Sequence, residues 1–347
     1  MARLSSITSA RIQDAKRVVR GFTEALDAAP PDALHDIHTA HVTRDYRWRG
    51  MRPFYEQAGA AAVVMTFWSP LRHSFTALQR REDIFMAGEN QHGDHALWTC
   101  SMGHFMGLLD HDWTGIPATR KLTFIPYAEF HRVADGRIAE TALFLDIVRV
   151  MQQAGRDPFP AQTAATGRHP GPRTHDGVLL AVQDPAEGEA TRDLLDRMIA
   201  DLMAFNDNAA ARVPPELLAR TWHHDMLWFG PGGIGSTFTI PRYQEQHQYP
   251  FRDGLTDKVF NGHVCRIAEG SYSGWFGWPN LNNRNRGGFL GLPESDRLAE
   301  MRVVDIYRRE GGKLAENWVF IDIPHYLAQH GHDILSDWQA LHRLARA

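Results

Sequence analysis

One pattern occurs twice in this chain of 347 residues, and over its best-matched stretch the copies lie 176 residues apart. Gly115-Ile116-Pro117 matches Gly291-Leu292-Pro293, and Leu145-Asp146-Ile147 matches Ile321-Asp322-Ile323. Between them, Ala134-Asp135-Gly136-Arg137-Ile138-Ala139-Glu140 matches Glu310-Gly311-Gly312-Lys313-Leu314-Ala315-Glu316. Solenoid units repeat every ~20–50 residues, so this period is too long for one. It is long enough for each copy to bury a core of its own. Two domains are therefore expected, at 1–156 and 190–347, joined by a linker at 157–189 rich in proline and glycine.

Each copy reads as helices followed by strands. Ile7 to Leu26 has amphipathic spacing, Pro30-Pro31 interrupts it, and Asp32 is placed to cap a short helix ending near His41. In the second copy Thr191 to Phe205 and Glu216 to Trp222 repeat the arrangement around Pro214-Pro215. Strands are expected over 96–105, 121–133 and 137–149, then over 258–269, 271–278, 299–308 and 313–323. Asp135-Gly136 and Gly311-Gly312 supply the positive φ that tight hairpins need. The fold class is α+β, with two curved antiparallel sheets, each covered by its N-terminal helices.

Bulk properties exclude several functions. A formal charge of −4 without a Lys/Arg block argues against a nucleic-acid partner. No run of about 18 apolar residues predicts a membrane span, and polar residues interrupt any signal core in MARLSSITSARIQDAKRVVRG. Two cysteines, Cys100 and Cys265, make no disulfide framework. A cytoplasmic protein acting on a small molecule is the expectation.

The Gly-Ile/Leu-Pro step, the Gly-Lys/Arg-Ile/Leu turn, the Glu two residues later and the Asp closing the last strand resemble the SnoaL-like polyketide cyclases. These belong to the wider nuclear transport factor 2-like fold. Gln152-Gln153-Ala154-Gly155 is similar to that family's C-terminal segment. The resemblance implies tandem cones, each wrapping a deep pocket lidded by helices. It also implies that a pocket carboxylate transfers a proton, a role that would fall to Asp322 or Asp146. A shared fold does not choose among the cyclases, isomerases, dehydratases, epoxide hydrolases and binders that use it.

Asp322 stands among Trp318, Val319, Phe320, Ile321 and Ile323, where desolvation would favour acid–base work. The competing reading makes Asp322 and Asp146 caps of the helices that follow. On a regular strand Glu316, Trp318 and Asp322 share one face and Asn317 the other. Glu316 could instead pair with Lys313 or Arg309. Asp305 has the parity of Met301, Val303 and Tyr307 and is a candidate acid–base partner. His223-His224-Asp225 precedes Trp228, and His41 and Asp45 precede Trp48. The Asp-x-x-Trp spacing recurs at an offset of 180. His224 oriented by Asp225 would assist catalysis, while the tryptophans form walls or simply core. Trp278, Tyr243 and Arg284 would make a rim for an oxygenated molecule. His35, His38 and His41 invite a metal, but no further ligand completes the set and none is expected. No phosphate-binding, dinucleotide or nucleophile-elbow motif is present, so no cofactor is expected.

Cofactor-independent acid–base chemistry follows as the leading expectation: cyclisation, isomerisation or dehydration of a small oxygenated substrate. The alternative is a non-catalytic binder. The copies are expected to pair as an intramolecular pseudo-dimer, with a homodimer of the whole chain also open.

Overall fold

A computed structural model describes residues 2–93, 95–167, 169–206 and 212–346. In the first half α1 (Ala2–Ala28) and α2 (Leu34–His41) lead into β1 (Val42–Gly50) and the short β2 (Glu56–Ala58). A lid follows, with α3 (Ala60–Val63) and α4 (Ser69–Ser74) on either side of a π-helical turn at Val64–Trp68. Strands β3 (Phe75–Glu89), β4 (Leu97–Leu109), β5 (Leu122–Ala134) and β6 (Arg137–Leu145) come next, closed by α5 (Ile147–Gln153).

The second half repeats this plan. Helices α6 (Pro185–Asn206) and α7 (Pro215–Leu218) precede β7 (Trp222–Phe229) and β8 (Ser236–Phe238). Its lid is α8 (Ile240–Tyr243), a π-helical turn at Gln244–Gln248, and α9 (Tyr249–Gly254). After it run β9 (Leu255–Phe260), β10 (Cys265–Glu269), β11 (Tyr272–Asn285), β12 (Ala299–Glu310) and β13 (Lys313–Ile321). Helices α10 (Ile323–Gln329) and α11 (Ala340–Leu344) end the chain.

Several local expectations need correction. The sheets are mixed, not antiparallel throughout, because β1 runs parallel to β6 and β7 parallel to β13. The long lid-and-strand excursion between these partners supplies the crossover that parallel pairing needs. Residues 258–269 are two strands, broken before Cys265 where Gly262 takes φ 96°. Helix α7 ends at Leu218, and Trp222 opens β7. Asp32 lies inside a 3-10 turn and makes no capping bond. Helix α6 begins at Pro185, inside the stretch read as linker. The β5–β6 turn has both Asp135 and Gly136 at positive φ, as a tight primed turn requires.

Each sheet curls around its own interior. Val19, Phe22 and Leu26 of α1 fall on one helical stripe and pack into the first cone, as Leu194, Leu195 and Met198 of α6 do into the second. The convex faces are apolar too. Met86, Trp98, Cys100, Phe130 and Phe144 of the first sheet meet Ile267, Phe276, Val304, Ile306 and Phe320 of the second. Phe276 is central: its ring lies 5.6 Å from Trp98, 5.0 Å from Phe130 and 6.1 Å from Phe144. The halves thus pack sheet against sheet, and the connector ties them further. Gly177 and Leu179 extend the edge of β3 through Phe85, while Ala165 pairs with Ser236 of β8. The edges at β3 and β8 are covered at those points.

Polar links cross the same boundary. Lys16 of α1 reaches Glu269 of β10 at 2.5 Å, with both side chains buried, and Glu269 also accepts from the Ala87 N–H at 2.8 Å. Among the described residues no helix is long and apolar enough to cross a membrane. Replacing Phe276 by alanine is expected to cost about 3–5 kcal/mol, because it opens a cavity between two sheets that cannot close independently. Urea unfolding measures this; a loss below about 1 kcal/mol would show that the sheets do not depend on the ring.

Candidate functional site

The concave face of the second cone gathers an acid with few ionic partners. Asp305 on β12 is 9% exposed and shares its face with Met301, Val303 and Tyr307, which line the interior. Its Oδ1 accepts from the Tyr307 hydroxyl at 3.1 Å and from Asn317 Nδ2 at 3.0 Å. Among the described residues no donor reaches Oδ2. Burial pushes the Asp305 carboxyl up to about 7, against the two hydrogen bonds that oppose the rise. Tyr243, on the lid, is close enough for the Asp305 charge to add to the burial that raises its phenol. Trp275 stands beside Tyr307 and stacks on His263 at 4.1 Å. Asn317 faces this interior because β13 turns Asn317, Val319 and Ile321 inward and Trp318 and Phe320 outward.

The same position in the first cone is built differently. Glu129, His131 and Thr141 stand 176 residues before Asp305, Tyr307 and Asn317. Here Arg80 of β3 enters the cone, donates to Glu129 at 2.7 Å and lies 4.8 Å from the Phe105 ring. His131 stands 3.4 Å from the same carboxylate and shares the Thr141 hydroxyl with Tyr46, each at 2.8 Å. Burial alone would raise Glu129, but Arg80 and His131 hold it down to about 2. One cone therefore carries a pinned carboxylate and the other a carboxyl that titrates near neutrality.

Asp322 and Asp146 are helix caps that also join the halves. Asp322 Oδ1 accepts the His325 N–H at 3.1 Å at the start of α10, and Oδ2 accepts the Arg52 N–H at 3.1 Å from the other half. Arg302 stands 3.4 Å from Oδ2. Asp146 repeats this, taking the Arg149 N–H at 3.1 Å and the Gly232 N–H at 2.9 Å. Arg52 and Gly232 are related by the offset of 180, so the clasp is reciprocal, as a two-fold contact must be. Burial lifts Asp322 to about 6, opposed by Arg302 and the two backbone donors. Its oxygens are already engaged, which leaves a cap where a pocket acid was expected.

The remaining candidates scatter. His224 and Asp225 are exposed on β7, and His223 bonds the Glu310 carbonyl at 2.9 Å. Trp228 is buried inside the second cone and Trp48 inside the first. Both fold beneath a glycine two residues on, Gly230 and Gly50, where any Cβ would strike the indole. Trp318 faces outward, donating to the Pro170 carbonyl at 2.8 Å and stacking on Phe229. Trp278 lies at the boundary of the halves, bonded to Glu56 at 2.7 Å, with Arg302 4.2 Å from its ring. Arg284 pairs with exposed Asp257, so no rim unites Trp278, Tyr243 and Arg284. Glu316 pairs with Arg308 and accepts from the Arg173 N–H rather than from Lys313 or Arg309. Asp45 is exposed, and His41 turns its Nδ1 to the Ile37 carbonyl at 2.8 Å. His38 does the same to Leu34 and packs on Phe22, while His35 is exposed, so the three rings do not converge. Among the described residues no His, Cys, Asp and Glu group of three could hold a metal.

Two clefts of about 540 and 550 Å³ lie side by side around β7 and β8, sharing Leu227 and Phe238. They open on the outer side, where Leu227 and Phe229 point, and not toward Asp305. The carboxyl with the shifted pKa is inside the cone and the open volume outside it, and a buried titratable group of this kind marks a candidate site.

No family model and no curated protein matches the chain. Among solved structures it is similar to a protein from Jannaschia sp. CCS1 described as a SnoaL-like polyketide cyclase. Identity is 20% over 40% of this chain and 90% of that one, with a TM-score of 0.31. An NTF2-like protein from Burkholderia xenovorans LB400 shares 14% identity over 41% of this chain and 96% of that one, with a TM-score of 0.33. An LEH-like epoxide hydrolase from M. tuberculosis shares 14% identity over 42% and 93%, with a TM-score of 0.31. Each covers about two fifths of the chain, and the two-cone fold described above rests on its own strand pairing.

A carboxyl raised in the folded state stabilises the protein below its unfolded pKa and loses that stabilisation as pH rises through the folded value. Wild type should therefore lose stability between about pH 4 and pH 7 through Asp305. Asp305→Asn should remove that component, so that the variant gains on wild type as pH rises. Urea midpoints across this range check it; parallel curves would mean that Asp305 titrates as an ordinary aspartate.

Proposed function

We propose that the second cone is a cofactor-independent acid–base site in which Asp305 takes and returns a proton on a small, partly apolar, oxygenated substrate. The observation that carries this reading is the Asp305 carboxyl itself. It is buried on the concave face, bonded through one oxygen to Tyr307 and Asn317, and lifted to about 7. A base with a pKa near the working pH combines a useful ionised fraction with the strength to accept a carbon-bound proton. Oδ1 is held while Oδ2 remains for transfer. Tyr243 is a phenol kept protonated by burial and by the Asp305 charge, so it can donate to an oxygen on which negative charge develops, while the Tyr307 proton stays on Oδ1.

This places the chemistry on Asp305 instead of Asp322, with His224 and Asp225 outside it. Cyclisation, double-bond isomerisation and dehydration all proceed through such a proton transfer, and the reaction type proposed is of that group. A second reading is a binding protein that does not convert its ligand. Copy one supports the second cone in either case, because its Glu129 is committed to Arg80.

Exchange of a carbon-bound proton tests the base without knowledge of the substrate. 2-Tetralone in D₂O, followed by ¹H NMR, should incorporate deuterium beside its carbonyl faster with wild type. Asp305→Asn should slow the enzyme-dependent rate at least about 100-fold, whereas Asp322→Asn, corrected for folded fraction, should stay within about threefold. The wild-type rate should rise with pH through about 7 as Asp305 ionises. Undiminished exchange by folded Asp305→Asn would remove this assignment. Binding of the ketone without exchange by wild type would establish the non-catalytic reading.

A further inference from the structure

We propose that His247, on the π-helical turn of the second lid, hydrogen-bonds an oxygen substituent of a flat, conjugated molecule held in the same cone as Asp305. Its ring lies parallel to Trp228 at 3.8 Å, with Tyr243 at 5.5 Å and Phe251 at 5.8 Å. Tyr243 connects the two groups, touching His247 with its ring and feeling the charge of Asp305 at its hydroxyl. His247 Nδ1 is shut off from solvent and has no hydrogen-bond partner among the described residues.

The repeat supplies an internal control. At the offset of 180 the first cone has Phe67, on the matching π-helical turn and 5.4 Å from Trp48. Phenylalanine therefore meets the packing requirement at this position. What histidine adds is two ring nitrogens, and an unpartnered one buried against aromatic rings destabilises the fold. A ligand oxygen would supply the missing partner. The same exchange of apolar for polar occurs nearby, where Val63 and Val64 correspond to Tyr243 and Gln244. Burial lowers His247 to about 3, so its ring is neutral near pH 7. A neutral ring donates from one nitrogen and accepts at the other, which suits a hydroxyl or a carbonyl better than a carboxylate. π-helical turns within helices often sit at functional sites. The rings of Trp228, Tyr243 and Phe251 around His247 favour a planar partner.

This inference takes its substrate class from the acid–base reading of the cone but is tested by binding alone. Equilibrium dialysis of the full chain with 2-naphthol and with naphthalene isolates the oxygen. Wild type should bind 2-naphthol at least about tenfold more tightly than naphthalene, the difference one hydrogen bond in a dry site supplies. His247→Phe, the residue of the sister copy, should bind both compounds alike, with an unchanged or higher Tm. His247→Gln should restore part of the preference. Three results would overturn the proposal: a preference retained by His247→Phe, a Tm drop of more than about 5 °C in that variant, or no preference in wild type. Failure of the acid–base reading would show in ketone exchange and leave the naphthol ratio intact, so the two are separable.

Discussion

Both sheets are apolar on two faces, and the structure depends on how the second face leaves water. Concave faces are covered by each copy's own helices, but the convex faces have only each other and the connector. Phe276 among Trp98, Phe130 and Phe144 is the centre of that contact. The reciprocal bonds from Asp146 to Gly232 and from Asp322 to Arg52 fix its register. Single cones could bury this face by dimerising; here duplication places both partners on one chain and removes the dependence on concentration. The helix caps and the inter-half clasp use the same two carboxylates, which is why the pattern around Asp146 recurs around Asp322.

Covalent linkage also frees the copies to diverge. A symmetric dimer must carry two identical interiors, whereas these cones have gone opposite ways. In the first, Arg80 neutralises Glu129, and the buried pair forms a network with Asp27, His131 and Thr141. A charge paired in this way resists protonation and contributes little to proton transfer near pH 7. In the second, among the described residues no arginine bonds Asp305, so burial dominates and the carboxyl moves toward neutrality. Polar groups correspondingly shift from the sheet to the lid, where Tyr243, Gln244 and His247 replace valines and phenylalanine.

The repeat, the helical openings and the closing hairpins were legible because their signals are local. Asp135-Gly136 and Gly311-Gly312 mark turns whatever surrounds them. Strand β3 was not legible, for a physical reason: its inward positions mix charge with apolar residues, as Arg80 and Glu82 do, so alternation is masked by partners far away in sequence. Asp322 illustrates the limit of composition: its apolar neighbours signalled burial correctly, but a buried carboxylate can be a cap as readily as a base. Asp305 could be placed by parity with Met301, Val303 and Tyr307. Its distinctiveness emerges only beside Glu129, and the 176-residue offset already pointed to that comparison. His247 carries no such signal, because nothing in QEQHQ marks a π-helical turn.

The difference between the two interior acids is directly measurable. A ¹³C NMR titration of side-chain carboxyls, with Asp305 assigned by its loss in Asp305→Asn, reads the protonation of that group in the folded protein. A midpoint near pH 7 for Asp305, with Glu129 still ionised at pH 4, is the expected result. An Asp305 midpoint near 4, the range of an ordinary aspartate, would contradict the assignment of the second cone as the acid–base site.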